Sequence, residues 1–177
     1  MSLNLNRGDN LLKNTTFSDN AQNWDINRWN GDGKEMATTE TVNDGIVFHI
    51  SDVGTADWNI QLKQGGINLE QGCDYRLAFK VTSTESRTIK VGFMDKNTEN
   101  WYGGSDVSLE KNKAKNVVCK FTMTQDTDAE CLMLISMGKI EGEDTPVSDI
   151  ALSDFYLEKL EASAIAPKPL NENLFKN

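Results

Sequence analysis

The sequence predicts an all-β fold, a β-sandwich or a jelly roll, from three observations. Residues 75–81 and 89–94 alternate apolar and polar side chains with the period of a half-buried strand. Turn-rich stretches recur between the apolar runs, at residues 30–33, 43–45, 63–66 and 124–128. No stretch of about ten residues has a convincing helical stripe. Many short strands without helices are typical of a sandwich or a jelly roll.

Shorter apolar runs predict further strands between these turns. They cover residues 46–50, 58–63, 117–123, 131–137 and 150–157. With 177 residues and an ordinary globular composition, the chain is expected to form one main domain. We place that domain at residues 10–160, after a leader of residues 1–9 that lacks the features of a signal peptide.

The last part of the sequence repeats the first. Residues 161–177 begin with small residues and two prolines, which favours an extended linker. Asn173–Asn177 then keeps four of the five residue types of Asn10–Asn14. A match this short can arise by chance, but its place after a linker predicts the first strand of a second, tandem module.

Charge and cysteine content exclude several classes of partner. The net charge of −9 argues against nucleic acid and against an anionic membrane surface, whereas a neutral ligand or a cation fits. No apolar run is long enough to cross a bilayer, so membrane insertion is not expected. Cys73, Cys119 and Cys131 are too few for a disulfide framework. Cys119 and Cys131 could pair across a hairpin, but we favour two half-buried free thiols.

Three stretches carry a family resemblance. They are residues 10–24 (NLLKNTTFSDNAQNW), 58–81 (WNIQLKQGGINLEQGCDYRLAFKV) and 149–160 (DIALSDFYLEKL). In this order they resemble the signatures of the carbohydrate-binding modules grouped as families 4, 9, 16 and 22, closest to family 4. The resemblance implies a jelly-roll β-sandwich of two antiparallel sheets with a structural calcium ion. It also implies a secreted or cell-surface bacterial protein, monomeric and covalently linked to a catalytic domain and a neighbouring module.

Aromatic residues are the first requirement of a sugar site, because flat rings cover the apolar faces of pyranoses. Trp24 matches a family Trp that closes the sandwich, so we interpret it as structural. Trp29, in a Gly-rich loop, is expected to contact ligand. Trp58 shares the parity of a core face, yet the family often carries a stacking aromatic there, and we lean towards ligand contact. In the pair Trp101–Tyr102, one ring can anchor inward while the other faces out. The resemblance places a binding aromatic before a Gly here, which fits Tyr102, with Trp101 as the alternative platform, and we select both as carbohydrate-binding residues.

Polar residues are the second requirement. Gln61 lies opposite the apolar face of its predicted strand, where it either bonds sugar hydroxyls or is simply solvated. The resemblance would build the groove floor from the outward positions of the central strands, which are Arg76, Lys80, Lys90, Gly92, Leu132, Leu134 and Ser136. The last strand departs from the family pattern because it offers mainly Leu, so a displaced or shallower site is plausible. From this floor we select Lys80 and Ser136 as carbohydrate-binding residues, although charged strand residues are usually only solvated.

A calcium site is implied by the resemblance at Thr16, Gly45 and Asp154. The Glu that is usual after the Phe in this family is Ser18 here, so the site is expected to be weaker or to recruit Asp44. Asp154 is the informative residue, because a carboxylate in an otherwise apolar strand needs a partner. The alternative is an Asp at the surface edge of the sheet.

Catalysis is not expected. His49 is the only histidine, which excludes metal sites with several histidines, and no Asp or Glu stands in a distinctive pattern. The resemblance therefore implies a non-catalytic module that binds β-linked plant or fungal polysaccharide, such as β-glucan, xylan or mannan, and targets an attached glycoside hydrolase. The alternative is a structural or adhesive β-sandwich of a bacterial surface protein, in which the same aromatics hold neighbouring modules together.

Overall fold

The computed structural model describes residues 7–161. The strands are β1 (Asp25–Asn27), β2 (Ala37–Val42), β3 (Gly45–Ile50), β4 (Gln61–Leu69), β5 (Asp74–Ser83), β6 (Arg87–Met94), β7 (Trp101–Leu109), β8 (Lys115–Thr122), β9 (Asp128–Ser136) and β10 (Asp149–Leu160). A single 3-10 turn, Asp57–Asn59, precedes β4. No helix within the described residues has the length and apolarity to cross a membrane. The predicted linker and repeat, from residue 162 onwards, lie outside this range.

Two antiparallel sheets of five strands pack face to face, which confirms the predicted all-β jelly-roll sandwich. The cleft sheet has the strand order β1-β4-β9-β6-β7, and the back sheet has the order β2-β3-β10-β5-β8. Alternate residues of both sheets point inward and form one continuous apolar core. Every predicted strand is present, and β1, β2 and β7 are additional.

Strand β4 differs from the prediction at both ends. It begins at Gln61 rather than at residue 58, because residues 57–59 form the 3-10 turn. Residues 63–66, which were predicted to form a turn, lie inside the strand. There a β-bulge shifts the register with β9 between Gln64 and Ile67, with Gly66 at a φ of +70°. The bulge absorbs the Gly-Gly pair without ending the strand, so a turn signal was misinterpreted.

Trp24 is confirmed as a structural residue. Its indole stacks on Phe17 at a centroid distance of 5.1 Å and contacts Phe155 at 5.0 Å. The indole Nε1 donates a hydrogen bond of 3.0 Å to the carbonyl oxygen of Asn14, so the polar end of the ring is satisfied. This aromatic cluster fastens the segment before β1 to the end of the sandwich.

The three cysteines are free thiols, as favoured from the sequence. Cys119 lies on β8 in the back sheet and Cys131 lies on β9 in the cleft sheet. Burial raises the pKa of the Cys131 thiol to about 12, so it behaves as a small apolar side chain.

Arg87 ties the segment after β9 to the sandwich. Its buried guanidinium donates hydrogen bonds to the carbonyl oxygens of Met137, Gly138 (3.0 Å) and Pro146 (3.3 Å). Burial lowers the pKa of Arg87 to about 10, which still leaves it charged at neutral pH. The backbone N–H of Gly138 donates in turn to the carbonyl of Asp57 at 2.9 Å. Arg87 therefore supports the 3-10 turn through this segment.

Replacing Arg87 with Met should destabilise the protein by about 3 kcal/mol, because several buried carbonyl oxygens lose their donor. Urea unfolding at neutral pH measures the difference. Lys111→Met is the control, since Lys111 forms only an exposed ion pair with Glu85 and should cost less than about 1 kcal/mol. Equal losses in the two variants would contradict this role of Arg87.

Candidate functional site

One cleft crosses the outer face of the cleft sheet. Its larger part has a volume of about 640 Å³, and a smaller part of about 310 Å³ continues beside β7. The two parts share Asp57, Lys90, Trp101 and Leu134. Lining residues come from all five strands, so the cleft spans four inter-strand spacings, or about 19 Å. It runs from one edge of the sheet to the other.

Trp58 projects into this cleft and is 62% exposed. It stands on the 3-10 turn, so the strand parity that suggested a core residue does not apply to it. Two hydrogen bonds hold the turn in place: the Asn27 amide donates to the Trp58 carbonyl at 2.9 Å, and the Gly138 N–H donates to the Asp57 carbonyl. An exposed indole is thus fixed at the β1–β4 end of the cleft.

Trp101 is the second cleft indole and is 47% exposed. It lies against Gly92 of β6 and Gly104 of β7, which face each other in the strand register. The amide of Gln125 donates a hydrogen bond of 3.0 Å to the Trp101 carbonyl oxygen. One side of the indole therefore contacts sheet backbone, and the other side is open to the cleft.

A row of polar residues, here called the polar lane, runs across the sheet beside these rings. It contains one residue from each strand, in register from β1 to β7: Asn27, Gln61, Ser136, Lys90 and Asp106. The Gln61 amide donates to the Ser136 hydroxyl at 2.9 Å, which leaves the amide oxygen of Gln61 available. The polar lane offers both donors and acceptors along one side of the cleft.

The next row of the sheet is mainly apolar and is here called the apolar lane. It consists of Lys63, Leu134, Gly92 and Gly104, in register across four strands. Lys63 pairs with Asp25 of β1 at 3.2 Å, so its charge is partly balanced at the sheet edge. The cleft floor thus has a polar side and an apolar side, which is the division that a pyranose ring also has.

Four of the predicted sugar-binding residues meet in the cleft. These are Trp58, Gln61, Trp101 and Ser136. Trp29 is 45% exposed, but it lies in the β1–β2 loop beside Arg28 and does not line the cleft.

Tyr102 faces the opposite way from Trp101. A β-bulge between Phe93 and Met94 pairs Trp101 with Met94 and Gly103 with Phe93, which leaves Tyr102 without a partner. Its ring packs against the core, and its hydroxyl donates a hydrogen bond of 2.8 Å to Asp128. The selection of Tyr102 as a sugar-binding ring was therefore wrong: the bulge turns Tyr102 inward as the anchor, and Trp101, the alternative platform, is the outward ring.

The strand order corrects the predicted positions of Lys80 and Arg76. Both lie on β5, and β5 belongs to the back sheet, where Lys80 faces Ser153 of β10 and Asn116 of β8. Their prediction as groove floor was wrong, because a jelly roll sends β4 and β5 to different sheets and this crossing leaves no mark in the sequence. His49 is also on the back sheet, with its Nδ1 3.1 Å from a carboxylate oxygen of Asp149.

Several cleft residues were missed or discounted. Asn27, Asp57 and Asp106 carried no signal of their own, and Lys90 was set aside as a solvated charge. Strand register is what brings them into one row, so only a correct pairing of β1 with β4 and of β6 with β7 would have identified them.

The predicted calcium ligands converge at the far end of the back sheet. Thr16, Asp44 and Asp154 line one cavity of about 490 Å³, and the Asp154 N–H donates to the Asp44 carbonyl at 3.3 Å. Ser18 is joined to Thr16 by a hydroxyl–hydroxyl bond of 3.2 Å, and Gly45 follows Asp44 directly. No cluster of three or more His, Cys, Asp or Glu side chains exists within residues 7–161. A cation here would therefore rely on two carboxylates plus hydroxyl and carbonyl oxygens.

Comparison with known proteins connects this geometry to a family. The profile of the family described as carbohydrate binding domain matches residues 9–146. A cellulose 1,4-β-cellobiosidase from Acetivibrio thermocellus is 29% identical over 123 residues. The match covers 65% of this chain and only 14% of that enzyme, so the chain spans a small part of this relative.

Solved structures share the fold. A family 4 carbohydrate-binding module (CBM4) is 24% identical with a TM-score of 0.67, and the match covers 83% of this chain and 98% of that one. The second N-terminal cellulose-binding domain of β-1,4-glucanase C from Cellulomonas fimi is 16% identical with a TM-score of 0.65, covering 89% and 99%. At these identities the likeness establishes the fold alone.

Tyr102→Phe should cost about 1 kcal/mol at pH 7, because the hydrogen bond to Asp128 is lost. Burial, together with the bond to Asp128, raises the pKa of Tyr102 to about 12, above the value near 10 of an unfolded chain. The protonated hydroxyl therefore makes its full contribution to the free energy of unfolding below pH 10. That contribution should disappear as the pH rises to about 12. Urea unfolding of both proteins across this range measures it, with Tyr156→Phe as a control for removal of a hydroxyl. If the difference in free energy of unfolding between the unaltered protein and Tyr102→Phe stays constant with pH, the role given to the Tyr102–Asp128 hydrogen bond is contradicted.

Proposed function

The chain belongs to the carbohydrate-binding domain family, and on that premise we propose that its cleft binds an internal stretch of a β-linked plant or fungal polysaccharide. It is a non-catalytic binding domain, as the family indicates. The polymers we propose are β-glucan, xylan and mannan. The cleft of the protein, rather than the back sheet, is the proposed site.

The observation that carries this proposal is the presence of two exposed indoles over one cleft with a polar lane beside them. Trp58 and Trp101 would each cover the C–H face of a pyranose, where water is displaced from both apolar surfaces. Gln61 and Lys90 would bond the hydroxyls at the edge of the sugar. Since the cleft runs between both edges of the sheet, a chain can continue past either end, which supports internal rather than terminal binding.

The same geometry supports weak individual affinity. A hydroxyl that bonds Gln61 or Lys90 first gives up a bond to water, so the net gain of each hydrogen bond is small. Leu134 of the apolar lane is already almost fully buried in the cleft floor, so a bound sugar would remove little further apolar surface from water there. Stacking on the two indoles should therefore dominate the binding free energy.

Replacing either indole with Ala should lower glycan affinity by about 30-fold or more, as expected for a central aromatic contact. Trp58→Ala and Trp101→Ala are compared with Val118→Ala, which removes an equally exposed apolar side chain from β8 of the back sheet. Isothermal titration with oligomers of β-1,4-glucan, xylan, mannan and β-1,3-glucan measures the affinities.

Two results of that titration would reject the proposal. One is the absence of heat with every oligomer for the unaltered protein. The other is binding that survives in both indole variants. If the indole variants lose stability while no glycan binds at all, the adhesive function replaces this one.

We also propose that the module targets an attached glycoside hydrolase outside the bacterial cell, as a monomeric domain beside a neighbouring module. The small share of the cellobiosidase that matches this chain supports a module within a longer enzyme. Tethering would convert each catalytic encounter into a local event, and a second module would add avidity without any new contact.

A structural calcium ion is proposed at Thr16, Ser18, Asp44, Gly45 and Asp154. The donor set fits, since oxygen ligands from three separate segments line one cavity, and calcium prefers six to eight such oxygens. Asp44 and Asp154 have φ values of 60° and 59°. Asp44 lies in the β2–β3 turn and Asp154 lies at a register shift inside β10, so neither carboxylate stands in regular strand. When bound, the ion would supply a link between the N-terminal segment, the β2–β3 turn and β10.

Calcium should raise the stability of the protein, because an ion bound only by the native state adds about 2.7 kcal/mol at a concentration 100 times its Kd. Thermal unfolding with excess calcium and then with excess chelator measures the shift. Asp154→Ala should abolish it, whereas Asp126→Ala, which removes an exposed carboxylate in the loop before β9, should keep it. An equal Tm with calcium and with chelator would remove this site.

A further inference from the structure

We propose that Gly92 and Gly104 are positioning residues for the sugar platform: their missing side chains hold the indole of Trp101 flat on the cleft sheet. The pair is here called the glycine seat. Its consequence for glycan affinity rests on the proposed function, whereas its effect on the indole does not.

The evidence for the glycine seat is how close a Cβ added at either glycine would come to the Trp101 ring. A Cβ added at Gly92 would lie 1.9 Å from Cη2, 2.5 Å from Cζ3 and 2.6 Å from Cζ2 of Trp101. A Cβ added at Gly104 would lie 2.7 Å from Cζ2 of the same ring. All four distances are far below the separation of carbon atoms in contact, which is about 3.5–4.0 Å. The indole thus occupies the space that two side chains would otherwise fill.

Backbone conformation does not explain these glycines. Five other described glycines have positive φ values, but Gly92 and Gly104 are not among them. Both sit in the pairing of β6 with β7, where glycine weakens a strand. At Gly104 the nearby carbonyl oxygen of Val91 also leaves no room for a Cβ, whereas at Gly92 the three nearest atoms all belong to the ring. An aromatic ring that covers a strand glycine compensates for that weakness. The ring is therefore the reason for glycine at position 92, and the two glycines together leave the space in which the ring lies.

Other contacts fix the backbone that carries this ring. Tyr102 anchors the bulge to Asp128, and the Gln125 amide holds the carbonyl of Trp101. A platform held in this way has lost its rotational freedom on folding rather than on binding, which favours affinity.

The orientation also sets how a sugar would lie. Gly92 and Lys90 are two residues apart on β6, so the ring and the polar lane are about 7 Å apart along the strand. A pyranose stacked on the flat indole would then be parallel to the sheet and would present one edge to Lys90. An indole tilted away from the sheet would lose this match.

Gly92→Ala is the decisive variant. The three atoms nearest to its Cβ all belong to the ring of Trp101, a side chain that can move aside. Gly104→Ala would also place a Cβ 2.1 Å from the carbonyl oxygen of Val91 and would disturb the backbone, so it is not used. The matched control is Gly31→Ala, in the β1–β2 turn, where an added Cβ meets no atom within 4 Å.

Two measurements test the proposal. The first is the NMR chemical shift of the Gly104 Hα. The ring current of an indole stacked on this residue shifts its resonance upfield. We expect that shift to be lost in Trp101→Ala and in Gly92→Ala, and to remain in Gly31→Ala. A shift that persists in Gly92→Ala would overturn the glycine seat, whether or not any glycan binds.

The second measurement is a double-mutant cycle of affinity for whichever of the four oligomers the unaltered protein binds. We expect Gly92→Ala to weaken binding by about 10-fold when Trp101 is present. In the Trp101→Ala background, the same change should have no further effect. Full affinity in Gly92→Ala, or an equal loss in both backgrounds, would show that Gly92 does not act through Trp101. If the unaltered protein binds none of the oligomers, the proposed function fails and the NMR shift alone decides the seat.

Discussion

The cleft depends on the register of the five strands in the cleft sheet. Asn27, Gln61, Ser136, Lys90 and Asp106 are far apart in sequence and form one row only because each strand pairs with its neighbour in one register. A slip of a single residue would turn the polar lane into the core and bring core residues to the surface. The apolar core that fixes this register therefore also builds the site.

Two β-bulges adapt this regular sheet to a binding surface. The bulge in β4 keeps residues 67–69 in phase with the core after the Gly-Gly pair. The bulge between β6 and β7 separates two adjacent aromatics, so that Tyr102 anchors inward and Trp101 faces the cleft. Extra residues at such points redirect side chains at little cost to the rest of the sheet. The cleft thus presents an exposed indole beside charged and polar side chains such as Lys90 and Asp106.

Sequence reasoning reached the fold because alternation with period two is a local signal, and the family resemblance identified Trp24 as a core residue. It did not decide which of Trp101 and Tyr102 faces outward, because the bulge that separates them depends on pairing with β6. It failed for residues whose position depends on which distant strands pair. The back-sheet position of Lys80 follows from strand order, and the cleft position of Asp106 follows from register with Lys90. Trp58 was ambiguous because a 3-10 turn just before a strand has no strong sequence signal.

The most direct test of a glycan-binding cleft is the response of the four indole N–H resonances to a soluble β-glycan oligomer in an NMR titration. The account predicts that the resonances of Trp58 and Trp101 shift together with one Kd, while that of the buried Trp24 stays in place. Shifts confined to residues of the back sheet, or unchanged Trp58 and Trp101 resonances at saturating oligomer, would contradict it.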